Sequence, residues 1–236
     1  MEQSALRIPE GGLEVSIGED GKPSAHLRKI EVSLDVWPYW LDIAIDNAIV
    51  AREARAELQT AATEGRDADK GPHLVDECKA SMIACSAGAF ALDAFYESVR
   101  EQLPELEALV RQWNDARTPR HRRILETIRR IAPFSNEETK QLRRSIGELF
   151  RFRAWAVHPP ANFGIPLLHD LLKVGVEWRF VAFRSENARV AVSIATDIIT
   201  RCVRSPRQVN EALLSWCTGA ATRVAPRKER RDLELS

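Results

Sequence analysis

Beyond Leu34 apolar residues recur at the three-to-four-residue spacing of a helix, and this period constrains the fold more than any other feature. Trp37, Trp40, Leu41, Ala44, Ile45, Ala48 and Ile49 open a run that continues to about Ala62, with Pro38 in the first turn, where proline is tolerated. A polar loop over 64–72 precedes a second long helix, about 73–102. That helix is rich in small residues, among them Ala80, Ser81, Ala84, Gly88 and Ala91, which let a neighbouring helix approach closely. Pro104 opens a shorter segment to about Ala116, and another helix covers about 120–132, with Ile124, Leu125, Ile128 and Ile131 on one face. Ser135-Asn-Glu-Glu138 reads as a capping box: the serine hydroxyl meets the backbone near Glu138 and the glutamate reaches back. The helix it starts carries Leu142, Ile146, Leu149 and Phe150 and stops before Pro159-Pro160, because a residue preceding proline avoids the α region.

The flanks read differently. GLEVSI and HLRKIEVSL enclose the turn cluster GEDGKPS, which predicts a hairpin within residues 12–34. Residues 161–173 read as loop with local turns. Val176, Trp178 and Phe180 alternate with Glu177 and Arg179, which predicts one strand near 174–183 with the N-terminal hairpin as its partner. Helices are expected over 185–203 and 207–222, then a charged, frayed tail over 227–236. The expected architecture is mainly α: a single domain with a β-appendage at about 1–34, a helical bundle core at 35–158, a strand plus C-terminal helices at 159–226, and that flexible tail.

Composition excludes several classes. With 44% hydrophobic and 29% charged residues the chain is neither collagen-like nor disordered, and four cysteines in 236 residues are too few for a disulfide scaffold. Cys78, Cys85, Cys202 and Cys217 form no CxxC pair, and none has a histidine at metal-ligand spacing. They fit a reducing cytoplasm as small hydrophobes. The opening MEQSALRIPEGG lacks a basic patch followed by an apolar stretch. The uncharged run Ala80–Leu92 is too short to cross a bilayer, so no membrane partner is expected. There is no P-loop, GxGxxG or GxSxG. Asp42 and Asp46 share a helix face, yet no ExxH follows, so neither a metal nor a cofactor is expected.

The net charge of zero hides a gradient. Residues 1–70 carry 8 basic and 14 acidic side chains, whereas residues 111–153 carry 12 basic and 5 acidic ones. The basic block is nearly all arginine, including Arg120, Arg122, Arg123, Arg144, Arg151 and Arg153. Guanidinium forks suit phosphate oxygens, so one reading is a cationic surface for nucleic acid. The other is that the block docks on the acidic first half of the chain or is simply solvated.

Within that block lies Arg151-Phe-Arg153-Ala-Trp-Ala-Val-His158-Pro-Pro. A histidine ending a helix is placed to give or take a proton near neutral pH. At about 100° per residue, Arg151 lies about 20° and Arg153 about 140° from His158 around the axis. Arg144, Arg151 and His158 continue one heptad-spaced stripe. A fixed cation beside a titratable imidazole can clamp a phosphate and move a proton, the two acts that RNA cleavage by its own 2′-OH requires.

Arg153-x4-His158 resembles the R-x4–6-H signature of HEPN domains, and Arg151-x6-His158 falls within the same spacing. The resemblance covers about residues 36–158. It implies a helical bundle that pairs as a homodimer, so that two motifs face one cleft and cleave RNA without metal to cyclic phosphates. It implies His158 as the acid–base residue and Arg153 as the residue orienting the phosphate, with Arg151 as the alternative. Arg144, Arg151, Arg120, Arg122 and Arg123 would contact RNA. Ala154 stands where active members often carry a polar residue, so the resemblance also accommodates an inactive HEPN-like module for RNA binding, protein interaction or dimerisation; a protein partner or antitoxin is left unspecified. Other readings of the same residues remain open. His158 can simply end its helix, Arg153 can pair with Asp93 or Glu97, Arg144 can pair with Glu148, and His169-Asp170 can assist the motif or merely occupy a loop. His121 reads as part of the cationic surface, and Trp37, Trp40, Phe95 and Tyr96 as core.

Overall fold

The computed structural model describes residues 5–7, 13–17, 22–27, 31–158 and 164–235. The chain divides into two units, residues 1–35 and 36–236. In the first, β1 (Ala5–Arg7) pairs antiparallel with β4 (Glu31–Ser33), and β2 (Leu13–Ile17) with β3 (Pro23–Leu27). Leu13 is in register with Leu27 and Ile17 with Pro23, so the second ladder is the expected hairpin. Pro23 and Ser24 belong to β3 rather than to the turn, and residues 18–21 lie outside the described residues.

The second unit is mainly helical. Its elements are α1 (Trp37–Thr63), α2 (Asp67–Glu101), a 3-10 turn (Pro104–Leu106), α3 (Glu107–Asp115), α4 (Arg120–Ile131) and α5 (Asn136–Val157). After residues 159–163, outside the described residues, come β5 (Leu167–Leu168), β6 (Gly175–Val176), α6 (Trp178–Ala182), α7 (Ser185–Arg204) and α8 (Glu211–Glu234).

The small residues of α2 place it at the centre, packed against α1, α5 and α7. Ala84, Ala87, Gly88, Ala89 and Ala91 are buried there. A Cβ on Gly88 would sit 3.3 Å from the Ala191 carbonyl oxygen of α7 and 3.6 Å from Leu149 Cδ1 of α5, so the absent side chain sets both helix approaches. Larger groups fill the ends: Trp37 meets Phe95 edge-on with ring centres 5.8 Å apart, and Trp216 of α8 lies 5.6 Å from the same Phe95 ring. The 18-residue window of α2 apolar enough to cross a bilayer is 56% buried in this bundle. The four thiols are free, and three are buried. Loss of water pushes Cys85 up to about 12 and Cys217 up to about 11, as expected of cysteines acting as small hydrophobes.

Three segments depart from the sequence expectation. First, α2 begins at Asp67 and carries Pro72 inside it, so much of the expected polar loop is helix. Asp67 and Asp69 suit its positive end, and Pro72 falls within the first two turns. Second, the strand expected near 174–183 is only Gly175–Val176; it pairs with Leu167–Leu168, not with the N-terminal hairpin, and 178–182 is the helix α6. Trp178 and Phe183 are both buried with ring centres 6.4 Å apart, because Phe183 leaves the helix at its C-cap; a strand would have put the two on opposite faces. Third, the tail expected to fray is helix to Glu234. Its arginines are anchored: Arg227 Nη2 to Asp42 at 2.6 Å, Arg230 to Asp46 at 2.6 Å and Arg231 to Asp197 at 2.6 Å. Asp42 and Asp46, the acidic pair on one face of α1, serve this docking.

Gly88→Val is expected to destabilise the protein by about 1–3 kcal/mol through overpacking between α2, α5 and α7. Denaturant unfolding checks this. Unchanged stability would mean that the two helices do not depend on that approach.

Candidate functional site at the end of α5

The capping box that starts α5 is present in full: Glu138 N–H donates to Ser135 Oγ at 3.2 Å and Ser135 N–H to Glu138 Oε2 at 2.7 Å. The bond from the Ser135 backbone N–H, and then one from its side chain, hold the Glu138 carboxyl below its ordinary range. Leu142, Ile146 and Leu149 then bury one face of the helix. Its last two turns rest on an aromatic cluster. Trp155 meets Trp178 edge-on at 5.6 Å, Phe152 meets Trp155 at 5.7 Å, and Phe152 lies 5.9 Å from Phe183. The short α6, which the sequence pattern presents as a strand, is therefore the support of the motif.

His158 ends the helix. Its backbone N–H donates to the Ala154 carbonyl at 2.7 Å, its φ of −128° and ψ of 76° leave the helical region, and its side chain is exposed. Residues 159–163, including Pro159-Pro160, lie outside the described residues.

The two motif arginines diverge, as a separation of about 200° around the axis requires. Arg151 lies with its guanidinium carbon 4.9 Å from the Trp155 ring centre and pairs with Glu148. Glu148 is thus taken by Arg151, not by Arg144. Arg153 lies 5.3 Å over Phe90 of α2, which itself packs on Trp40 at 4.9 Å. Neither Asp93 nor Glu97 pairs with Arg153, and no carboxylate does so among the described residues. A cation over an aromatic face is weakly held when exposed, about 0.5–1 kcal/mol, so Arg153 keeps its hydrogen-bonding edge available.

The wider arginine set separates into two kinds. Arg144 and Arg122 are exposed, as an RNA-contacting role requires. Arg120 is engaged within the fold: it pairs with both Asp93 and Glu97 and lies 4.3 Å over Tyr96, tying α4 to α2. Arg123 is also spent inside the molecule, donating to the Thr118 carbonyl at 2.7 Å, the Trp113 carbonyl at 3.0 Å and Asn114 Oδ1 at 2.6 Å. It closes the turn around Arg117, whose φ is 50°. Arg120 and Arg123 would each have to leave these internal partners to contact RNA. At His121 burial, and then Arg122, lower the pKa and so disfavour its charged form.

The chain beyond the motif is fixed by a cluster that sequence reading underestimates. His169 is 1% exposed. Leu172 N–H donates to its Nδ1 at 3.2 Å, which puts the ring proton on Nε2; Arg55 Nη1, 3.5 Å from that nitrogen, therefore packs beside it as a neighbouring charge and does not donate to it. Arg55 of α1 also binds Asp170 at 2.7 Å and approaches Glu77 of α2 at 3.7 Å. Glu77 is 1% exposed; burial pushes its carboxyl upward while Ser185 N–H donates to its Oε1 at 2.9 Å. Arg184 and Glu186 complete the charge around the turn. His169 is therefore an anchor for the segment that follows the motif, not an assistant facing solvent. The only sequence signal was a His-Asp dipeptide within an otherwise apolar loop.

Comparison with protein-family models, with curated proteins and with solved structures returned no match.

Burial, and then Arg55, depress the His169 pKa. Its stabilising contribution is therefore complete above the unfolded value of about 6.5 and is lost as pH falls through that value toward the folded one. Glu77, raised on folding, carries the opposite sign from its own lower range. Unfolding midpoints measured between pH 7.5 and 5.5 are expected to fall for the wild type and to be flatter in His169→Asn. Parallel pH profiles would contradict the anchoring role.

Proposed function

We propose that the chain is a HEPN-like helical protein that acts on RNA from the exposed end of α5, as a metal-independent endoribonuclease. The observation that carries the proposal is one of presentation. His158 stands exposed at the C-terminus of a long, well-anchored helix, one turn beyond Arg153, a cation with no carboxylate beside it among the described residues. Arg153 is the first choice for holding the phosphate. Arg151, paired with Glu148, is the alternative and would have to exchange that partner for the phosphate.

In the proposed reaction His158 accepts the proton of a ribose 2′-OH as that oxygen attacks the adjacent phosphorus. The bond from phosphorus to the 5′-oxygen breaks, and an imidazolium returns a proton to the leaving oxygen. The products are a 2′,3′-cyclic phosphate and a 5′-hydroxyl. The guanidinium stabilises charge developing on the non-bridging oxygens. A homodimer, as the HEPN resemblance implies, would supply two imidazoles to one cleft and divide the base and acid roles between them.

A second reading is favoured by Ala154, which is exposed beside Arg153 and offers no polar group to the site. On that reading the same surface binds RNA or a protein without turnover.

Purified protein is expected to cut single-stranded RNA in EDTA, leaving cyclic phosphate ends. His158→Ala should lower the rate by about 10²–10⁴-fold while the far-UV spectrum stays that of a folded helical protein. Undiminished cutting by that variant would overturn the mechanism. Binding that weakens steeply with salt, with no cutting by wild type, would support the second reading instead.

A further inference from the structure

At the opposite end of α5 from His158, about 33 Å away by helix rise, the chain builds a concave site that the motif does not explain. The 3-10 turn at Pro104–Leu106, the last turns of α4, the connection through Phe134 and the 205–209 turn enclose a cavity of about 480 Å³. That lies within the usual range of small-ligand sites, roughly 300–1,000 Å³. Buried Leu103 and Leu106 contribute its apolar part, together with Phe134 and Val209. Arg201 lies 5.7 Å from the Phe134 ring and helps to fix it.

Three arginines line this cavity, with Glu105 and Glu126 as the opposing charges. Glu126 lies between two of them, 3.2 Å from Arg129 and 3.4 Å from Arg130, so one carboxylate is shared by two guanidinium groups. Arg207 is held differently. Its backbone N–H donates to the Ile131 carbonyl at 2.7 Å and its Nε to the Ala132 carbonyl at 3.3 Å. These bonds cap the C-terminal end of α4 and orient the guanidinium without neutralising it. Arg207 pairs with no carboxylate among the described residues, and its two terminal nitrogens remain for a ligand. A pre-oriented fork of this kind is suited to phosphate oxygens.

We propose that this cavity binds a phosphomonoester carrying a flat ring, the chemistry of a nucleoside monophosphate. The dianionic phosphate engages Arg207 and draws Arg130 or Arg129 from Glu126, and the ring lies against Phe134 and the leucine floor. The site does not depend on His158. A free mononucleotide and the phosphorylated terminus of an oligonucleotide share this chemistry and are compared separately.

The test is equilibrium titration of the intact protein with 5′-AMP, a 5′-phosphorylated trinucleotide of deoxyadenosine, adenosine and inorganic phosphate. The two phosphorylated nucleotides are the candidate sources, and at least one is expected to bind at least about tenfold more tightly than both adenosine and phosphate, because charge and ring act together. Arg207→Gln is expected to weaken that ligand about tenfold, the usual effect of losing a charge-assisted hydrogen bond. Because Arg207 also caps α4, Arg130→Gln provides a variant that removes no backbone contact, and it is expected to weaken binding as well. His158→Ala should leave the affinity for 5′-AMP unchanged, so failure at α5 and failure here are separable. If neither nucleotide binds more tightly than phosphate alone, or if both arginine variants bind as wild type does, the proposal is overturned.

Discussion

The close approach of α2 to its neighbours is the constraint on which the bundle depends. One helix can contact α1, α5 and α7 together only where its side chains are small, and the buried face of α2 from Ala80 to Ala91 is alanine, serine, cysteine and a single glycine at the tightest point. Leu149 of α5 and the backbone at Ala191 of α7 both close on Gly88. That contact fixes where α5 lies and therefore where its last turns leave the core. Beyond it, Phe152 and Trp155 lean on Trp178 and Phe183, and His158 emerges into solvent.

Arginine does two kinds of work in this protein, and sequence alone does not separate them. Arg120, Arg227, Arg230 and Arg231 bridge helices by meeting carboxylates from another element, and Arg123 and Arg207 bond to backbone carbonyls near helix ends. The acidic first half and basic second half thus attract one another within the fold, most clearly where the α8 arginines meet Asp42 and Asp46 of α1. Arg122, Arg144 and Arg153 remain exposed and have no carboxylate partner among the described residues. The cationic surface left exposed and without carboxylate partners among the described residues is narrower than the sequence count suggests, and it includes Arg153.

Periodic, locally determined features were legible. The helical period from Trp37, the Ser135 capping box and the end of α5 at Val157 follow from short-range rules and are found in the structure. What failed depended on distant partners. Trp178 to Phe183 alternates well enough to resemble a strand, yet the residues turn as a helix to place two aromatic rings against α5. The charged residues from Arg227 onward read as a solvated tail because their carboxylate partners on α1 and α7 are distant in sequence. Arg120 and Arg123 could not be told from Arg122 by composition, since only tertiary contact with Asp93, Glu97 and the end of α3 distinguishes them. Burial of His169 was similarly hidden, because Arg55 and Glu77, which build the cluster around it, lie far upstream on α1 and α2.

The proposed function requires one imidazole to be open to a polynucleotide while another, close in sequence, is sealed away. Histidine ring resonances followed during titration with an all-deoxy, uncleavable oligonucleotide test this directly. The His158 signal should move with oligonucleotide and saturate, while His169 stays fixed. A His158 signal that does not respond at saturating oligonucleotide would contradict the assignment of α5 as the site of RNA contact.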